Sequence, residues 1–283
     1  MQGDPLPSIS ETEATGHIAE LFEDIRQTLG MSFVNLVWRH LASIPGALAW
    51  TWATMKPLYA NGAVYSAADA LRATPDLPPV PRLPTVALRS IGIDADHENT
   101  IRATLFGYDR GNPLNTVAFC AVLARLHGAA PPPCPPSRPP SRPLSAQPVP
   151  GPLSFDQMPD HVAELVRSVN LIGAREQGQT VQVSLPRNLA RWPGMLVLYY
   201  AALQPLHDSG ALLAAVDSVV ADGRRRGVAV SGALGRTGLP DASTAVAVRA
   251  SLERLVPHAM GRMIPIVTLL LRMLPDGPRE DIR

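Results

Sequence analysis

Two phrases in this chain repeat one another. "RHLASIPGAL" begins at Arg39, and "RNLARWPGML" begins at Arg187, 148 positions later. The match extends well beyond them. "HIAELFEDI" from His17 pairs with "HVAELVRSV" from His161, and Pro57-Leu58 and Gly62 pair with Pro205-Leu206 and Gly210. "IRATL" from Ile101 pairs with "VRASL" from Val248. A nearly constant offset across most of each half is an internal duplication.

The periodicity within the copies is helical. Ile18, Leu21, Phe22 and Ile25 fall at i, i+3, i+4 and i+7, and Val162, Leu165, Val166 and Val169 repeat that face. Ser10 with Glu13 reads as a capping box ahead of the first of these helices, Gly30 as its stop, and Asp160 as the cap of the second. "FVNLVWRHLA" reads as a helix that breaks at Pro45, with another starting near Gly46. "TVQVSL" is too short to carry a sheet. Arg224-Arg225-Arg226, between Gly223 and Gly227, reads as a solvated turn.

Between the halves lies "PPPCPPSRPPSRPLSAQPVPGP", Pro131 to Pro152. Proline lacks the amide donor and restricts the residue before it, so this segment reads as an extended tether. At about 3.1 Å per residue it reaches up to roughly 70 Å, enough to cross a folded half. The expected fold is therefore all-α. Two tandem similar helical repeats, 1–129 and 153–283, form an intrachain pseudo-dimer joined by a Pro-rich linker, 130–152. Like faces pack together, and the cleft between halves is the natural ligand site.

Composition removes several function classes. A formal net charge of +1 offers no field for nucleic acid. Cys120 and Cys134 are too far apart for a CxxC motif, and no histidine has the helical partners of a metal site. "MIPIVTLLL" from Met263 is shorter than the roughly 20 residues a spanning helix needs, and the first residues lack a signal-peptide pattern. The expectation is a cytoplasmic chain without a membrane span or a metal site.

In order along the chain, "EDIRQTLG" from Glu23, the R-x-L-A-x-x-P-G-x-L phrase, "AADALR" from Ala67, "GNP" from Gly111 and "NLARWP" from Asn188 resemble the group I 2-haloacid dehalogenases, the DehI-type family. The resemblance implies a helical pseudo-dimer with its site between the halves. It also implies cofactor-free hydrolysis of the carbon–halogen bond of small D- and L-2-haloalkanoic acids, by direct water attack with inversion. Such a site needs a carboxylate base, an apolar halide cradle and a polar orienting group. Carried over, Asn112 stands for the family's "GNP" asparagine, Phe33 and Leu36 for the pocket wall, and Ser184 for the serine beside the catalytic aspartate. The aspartate itself falls on Leu185, which takes no proton. Asp109, near Asn112, is the best replacement base; Glu176 and Asp208 are more remote. Asn35, a polar residue inside "FVNLVW", is a candidate pocket group. Arg39 and Arg187 recur in both halves, which favours a structural job for them, such as capping carbonyls or bridging the halves, over gripping a substrate carboxylate through a bidentate contact. The alternative function is a non-catalytic or divergent member that binds a small apolar carboxylate or a partner in the cleft. Family members can dimerise, so the resemblance allows a homodimer.

Overall fold

The computed structural model describes residues 6–73, 75–134, 149–175 and 181–276. Helices are its only regular structure among those residues. Most of the linker and Glu176 lie outside the described residues.

The first half contains α1 (Gly16–Leu29), α2 (Leu36–Ala42), α3 (Ala47–Asn61), α4 (Ala63–Ala73), α5 (Thr85–Ser90) and α6 (Ala95–Leu126). The second contains α7 (Asp160–Leu171), α8 (Ser184–Leu189), α9 (Pro193–Asp208), α10 (Ala211–Val230), α11 (Ala242–Leu255) and α12 (Arg262–Met273). A π-helical turn, Val256–Gly261, joins α11 to α12. The continuous stretch Ala242–Met273 has 32 residues, the same length as α6, and begins 147 positions after Ala95. Asp94 caps α6 by accepting from His97 N, and Asp241 caps α11 by accepting from Thr244 N. Each cap satisfies one of the N–H groups that a helix start leaves open.

Several local expectations shift. The Ser10–Glu13 box exists, with Ser10 N donating to Glu13 Oε2 at 3.0 Å and Glu13 N donating to Ser10 Oγ at 3.2 Å. It closes a separate turn rather than starting α1, whose N-cap is Thr15. Gly30 does end α1 in the left-handed region, with Met31 N donating to Arg26 O. The second half's cap is Pro159, with Asp160 already helical. α2 begins at Leu36, so Phe33 and Val34 are loop and Asn35 is an N-cap. Ala242–Met273 has the length and composition to cross a membrane, but most of its apolar window is buried within this fold, as a core helix's would be.

The largest correction concerns Arg224–Arg226. These residues lie inside α10, and the glycines flanking them are packing residues. A Cβ on Gly227 would sit 2.4 Å from Cys120 Cβ and 2.7 Å from Ala121 N, and one on Gly223 would sit 2.8 Å from Thr116 Cγ2. Spaced four apart, both glycines lie on one face of α10 and let it approach α6 at backbone distance. The arginines turn outward, where Arg226 Nε pairs with the buried Asp222 at 2.7 Å. α6 also packs along α12, and α4 against α10, so the two halves share one core.

Gly227→Ala should lower stability by about 1–3 kcal/mol, because the added methyl meets backbone that cannot move aside. Arg224→Ala should stay within about 0.5 kcal/mol of the parent. Urea denaturation of both variants is the check.

Candidate active site between the two halves

A cavity of about 250 Å³ opens where the halves meet. The first half lines it with the Ser10–Thr12 turn, the loop into α2 and one face of α6. The end of the linker contributes Pro150–Pro152, and the second half contributes the start of α8, Ala259 and Met260 of the π-helical turn, and Met263 just after it. Such turns insert an extra residue into a helix and are frequent at functional sites.

All five sequence-predicted binding residues, Phe33, Asn35, Leu36, Asn112 and Ser184, line this one cavity. Asn35 arrives by an unusual route. An N-cap asparagine commonly caps its own helix, yet this one makes no side-chain cap bond. Its Oδ1 is buried without a partner, as is Nδ2 of Asn112. Orphaned polar atoms of this kind are costly unless something fills their valence. Phe33, Leu36, Val37, Met260 and Met263 supply the apolar wall.

Asp109 does not join them. Successive residues on a helix point about 100° apart, so Asp109 leaves the face that carries Tyr108 and Asn112. It lies in a shallow depression on another side of the molecule, beside Arg72, whose Nη1 donates to its Oδ2 at 3.2 Å. Burial pushes its carboxyl pKa up, against the pull of Arg72. Asp208 is exposed on α9. Leu185 also lies elsewhere: fully buried in the hydrophobic core, it lines no part of the cavity. The side chain that enters from the start of α8 is Ser184, so the position assigned to the family's aspartate does not face the site.

Residues that the sequence did not place in the site complete the arrangement. Arg39 reaches across the seam, with Nη2 donating to Ser184 Oγ at 3.2 Å. The Tyr108 hydroxyl donates to Asn188 Oδ1 at 2.8 Å, and Asn188 Nδ2 donates to Pro150 O at 2.8 Å. Burial pushes the Tyr108 phenol up to about 12, held back by Arg39, Ser184 and Arg187. Both repeated arginines thus bring positive charge to the same phenol. Tyr108 was findable, because it stands four before Asn112 on a helix and shares its face. Arg39 likewise stands three after Leu36.

Glu11 is the other unassigned residue, and the cavity's only carboxylate among the described lining residues. Its Oε1 accepts from Val34 N at 2.8 Å, and its Oε2 pairs with Arg26. No periodicity marks it, since it sits within a single non-helical turn.

The comparisons agree with this architecture. D-2-haloacid dehalogenase structures superpose over 95% of the chain: a mutant with D-2-CPA at TM-score 0.76 and 19% identity, and a complex with L-LA at 0.76 and 18%. These cover 95% of the neighbours' own chains. In sequence, a configuration-inverting 2-haloacid dehalogenase of Alcaligenes xylosoxydans xylosoxydans is 30% identical over 110 residues. One from Pseudomonas sp. (strain 113) is 27% identical over 124 residues. The chain resembles the DehI-type 2-haloacid dehalogenases. The aligned stretches cover 38% and 44% of this chain, and only 37% and 40% of those relatives. No protein-family model matches it. For this dehalogenase-like chain the structural likeness fixes the fold, and the chemistry has to be argued from the cavity.

Two outcomes follow. Leu185→Asp should destabilise the fold by more than about 3 kcal/mol by burying an unpaired charge, read by thermal melting. Tyr108→Phe should cost about 1–3 kcal/mol by leaving Asn188 Oδ1 without its donor. The native phenol's raised pKa also fixes the sign of a pH effect. Its stabilising contribution is complete below the ordinary value of 10.0 and drains away as pH rises through about 12. Urea midpoints at pH 9 and 11.5 should therefore fall less steeply in the variant.

Proposed function

We propose that this chain is a DehI-type dehalogenase-like protein. On this reading it takes a small 2-substituted carboxylic acid into the inter-half cavity and opens the carbon–halogen bond by water attack with inversion. The observation that carries the reading is the convergence of Phe33, Asn35, Leu36, Asn112 and Ser184, drawn from three separate segments, on one cavity. Its volume lies below the range of drug-sized sites, which suits an acid of a few carbons. Arg39 and Ser184 are placed to hold a carboxylate, because a guanidinium donates two parallel hydrogen bonds to one. The apolar wall would take the alkyl group and the halide. The two halves are read as an intrachain pseudo-dimer, supported by the equal length and matched aspartate caps of α6 and Ala242–Met273.

A second reading is binding without turnover. It is favoured by the start of α8, where Ser184 and Leu185 stand and neither can act as a carboxylate base.

Halide release from both enantiomers of 2-chloropropionate, with chiral analysis of the lactate formed, decides between them. Hydrolysis with inverted product supports the first reading. Saturable binding with no halide above buffer supports the second. Under either, Arg39→Met should weaken binding of 2-chloropropionate by about 10- to 100-fold, the loss of a charge-assisted hydrogen bond, in a calorimetric titration.

A further inference from the structure

We propose that Glu11 is the general base of this site, a role that rests on the hydrolytic reading above. The reaction needs a carboxylate at the cavity, and the position expected from the resemblance does not provide one. Leu185 is core, Asp109 faces a different surface, and Glu11 lines the cavity itself.

The sequence places Glu11 with some care. The reciprocal Ser10–Glu13 box closes a tight turn whose two central residues are Glu11 and Thr12, and both line the cavity. Val34 N holds one carboxylate oxygen, and Arg26, from the last turn of α1, holds the other. A carboxylate offers about four lone-pair sites, so these two contacts orient it and leave acceptor capacity for a water. Groups fixed before the reaction act without reorganisation cost. The same cavity carries two orphaned polar atoms, Asn35 Oδ1 and Asn112 Nδ2, in side chains more than nine-tenths buried. A bound water needs two to four polar partners. Glu11 and Asn35 Oδ1 accept from it or from substrate, and Asn112 Nδ2 donates.

The step balances simply. The water oxygen forms a bond to C2 of the acid as the carbon–halogen bond breaks, and the halide leaves with that bond's electron pair. One water proton passes to the Glu11 carboxylate, and the product is the 2-hydroxy acid of opposite configuration. Glu11 then returns its proton to solvent.

Glu11 also props the loop into α2, so the test must separate a prop from a base. Glu11→Gln keeps an acceptor for Val34 N and removes the basicity. The base role predicts kcat for 2-chloropropionate reduced by roughly 100- to 10,000-fold. The dissociation constant should stay within about threefold and the circular dichroism unchanged, because the amide preserves the site's shape. Glu11→Asp gives an independent readout, because it keeps a carboxylate one methylene shorter. A base should regain at least about tenfold in kcat over Glu11→Gln with the dissociation constant unchanged. A pure prop would show no such separation of kcat from binding. Glu11→Gln turnover within threefold of wild type, or Glu11→Asp no faster than Glu11→Gln, overturns the base alone. Absence of halide release from the wild type overturns the hydrolytic reading and the base with it.

Discussion

The close contact of α6 with α10 is the constraint on which the remaining structure depends. Gly223 and Gly227 lack the one atom that would separate these helices, and Gly227 meets the backbone of Ala121. Because α6 belongs to the first half and α10 to the second, this contact sets the register of one half against the other. The face of α6 that bears Tyr108 and Asn112 is thereby held opposite Ser184 and Asn188 of α8. The cavity is what remains where the halves meet with less than complementary surfaces. Asn35, Leu36 and Asn112 line one side, while Val183, Ser184 and Ala259 line the other.

Charged and polar groups meet across this seam. Arg39 bonds Ser184 across the seam, and the Tyr108 phenol is held neutral by burial while two guanidiniums pull in the opposite sense. The same cavity holds Glu11, clamped by Arg26 and a backbone amide. Apolar side chains and two amide atoms without a partner share its lining. A guanidinium, a carboxylate and an apolar wall in one cavity match the small acid proposed as its ligand. His40 shows that polar contact across the seam also serves structure alone. Its Nδ1 donates to Pro7 O at 2.7 Å, and Nε2 shares a hydrogen bond with Ser251 Oγ at 3.0 Å.

Arg224–Arg226 read as solvated in sequence and do turn outward, but the glycines beside them are contact residues of a helix rather than a turn. Propensity alone disfavours glycine in a helix, and tertiary packing overrides it. Leu185 and Ser184 illustrate a one-residue ambiguity. On a helix, adjacent residues face directions about 100° apart, so a shift of one position exchanges a core residue for a cavity residue. Asp109 and Tyr108 repeat the lesson on α6.

Sequence by itself determined the all-helical class and where several of its helices run. Those features follow from local periodicity, proline and glycine, which act within a few residues. It also singled out Asn35, because an amide within an apolar face needs a partner wherever it ends up, whereas Asn112 came from the family resemblance. Only the tertiary structure decided that Glu11 and Arg39 share a cavity with them, that Asp109 does not, and that Ser184 rather than Leu185 looks inward. Those facts depend on how α6 and α10 dock, and on a turn at Ser10–Glu13 with no periodicity. Contacts between residues far apart in the chain leave no local pattern from which they can be read.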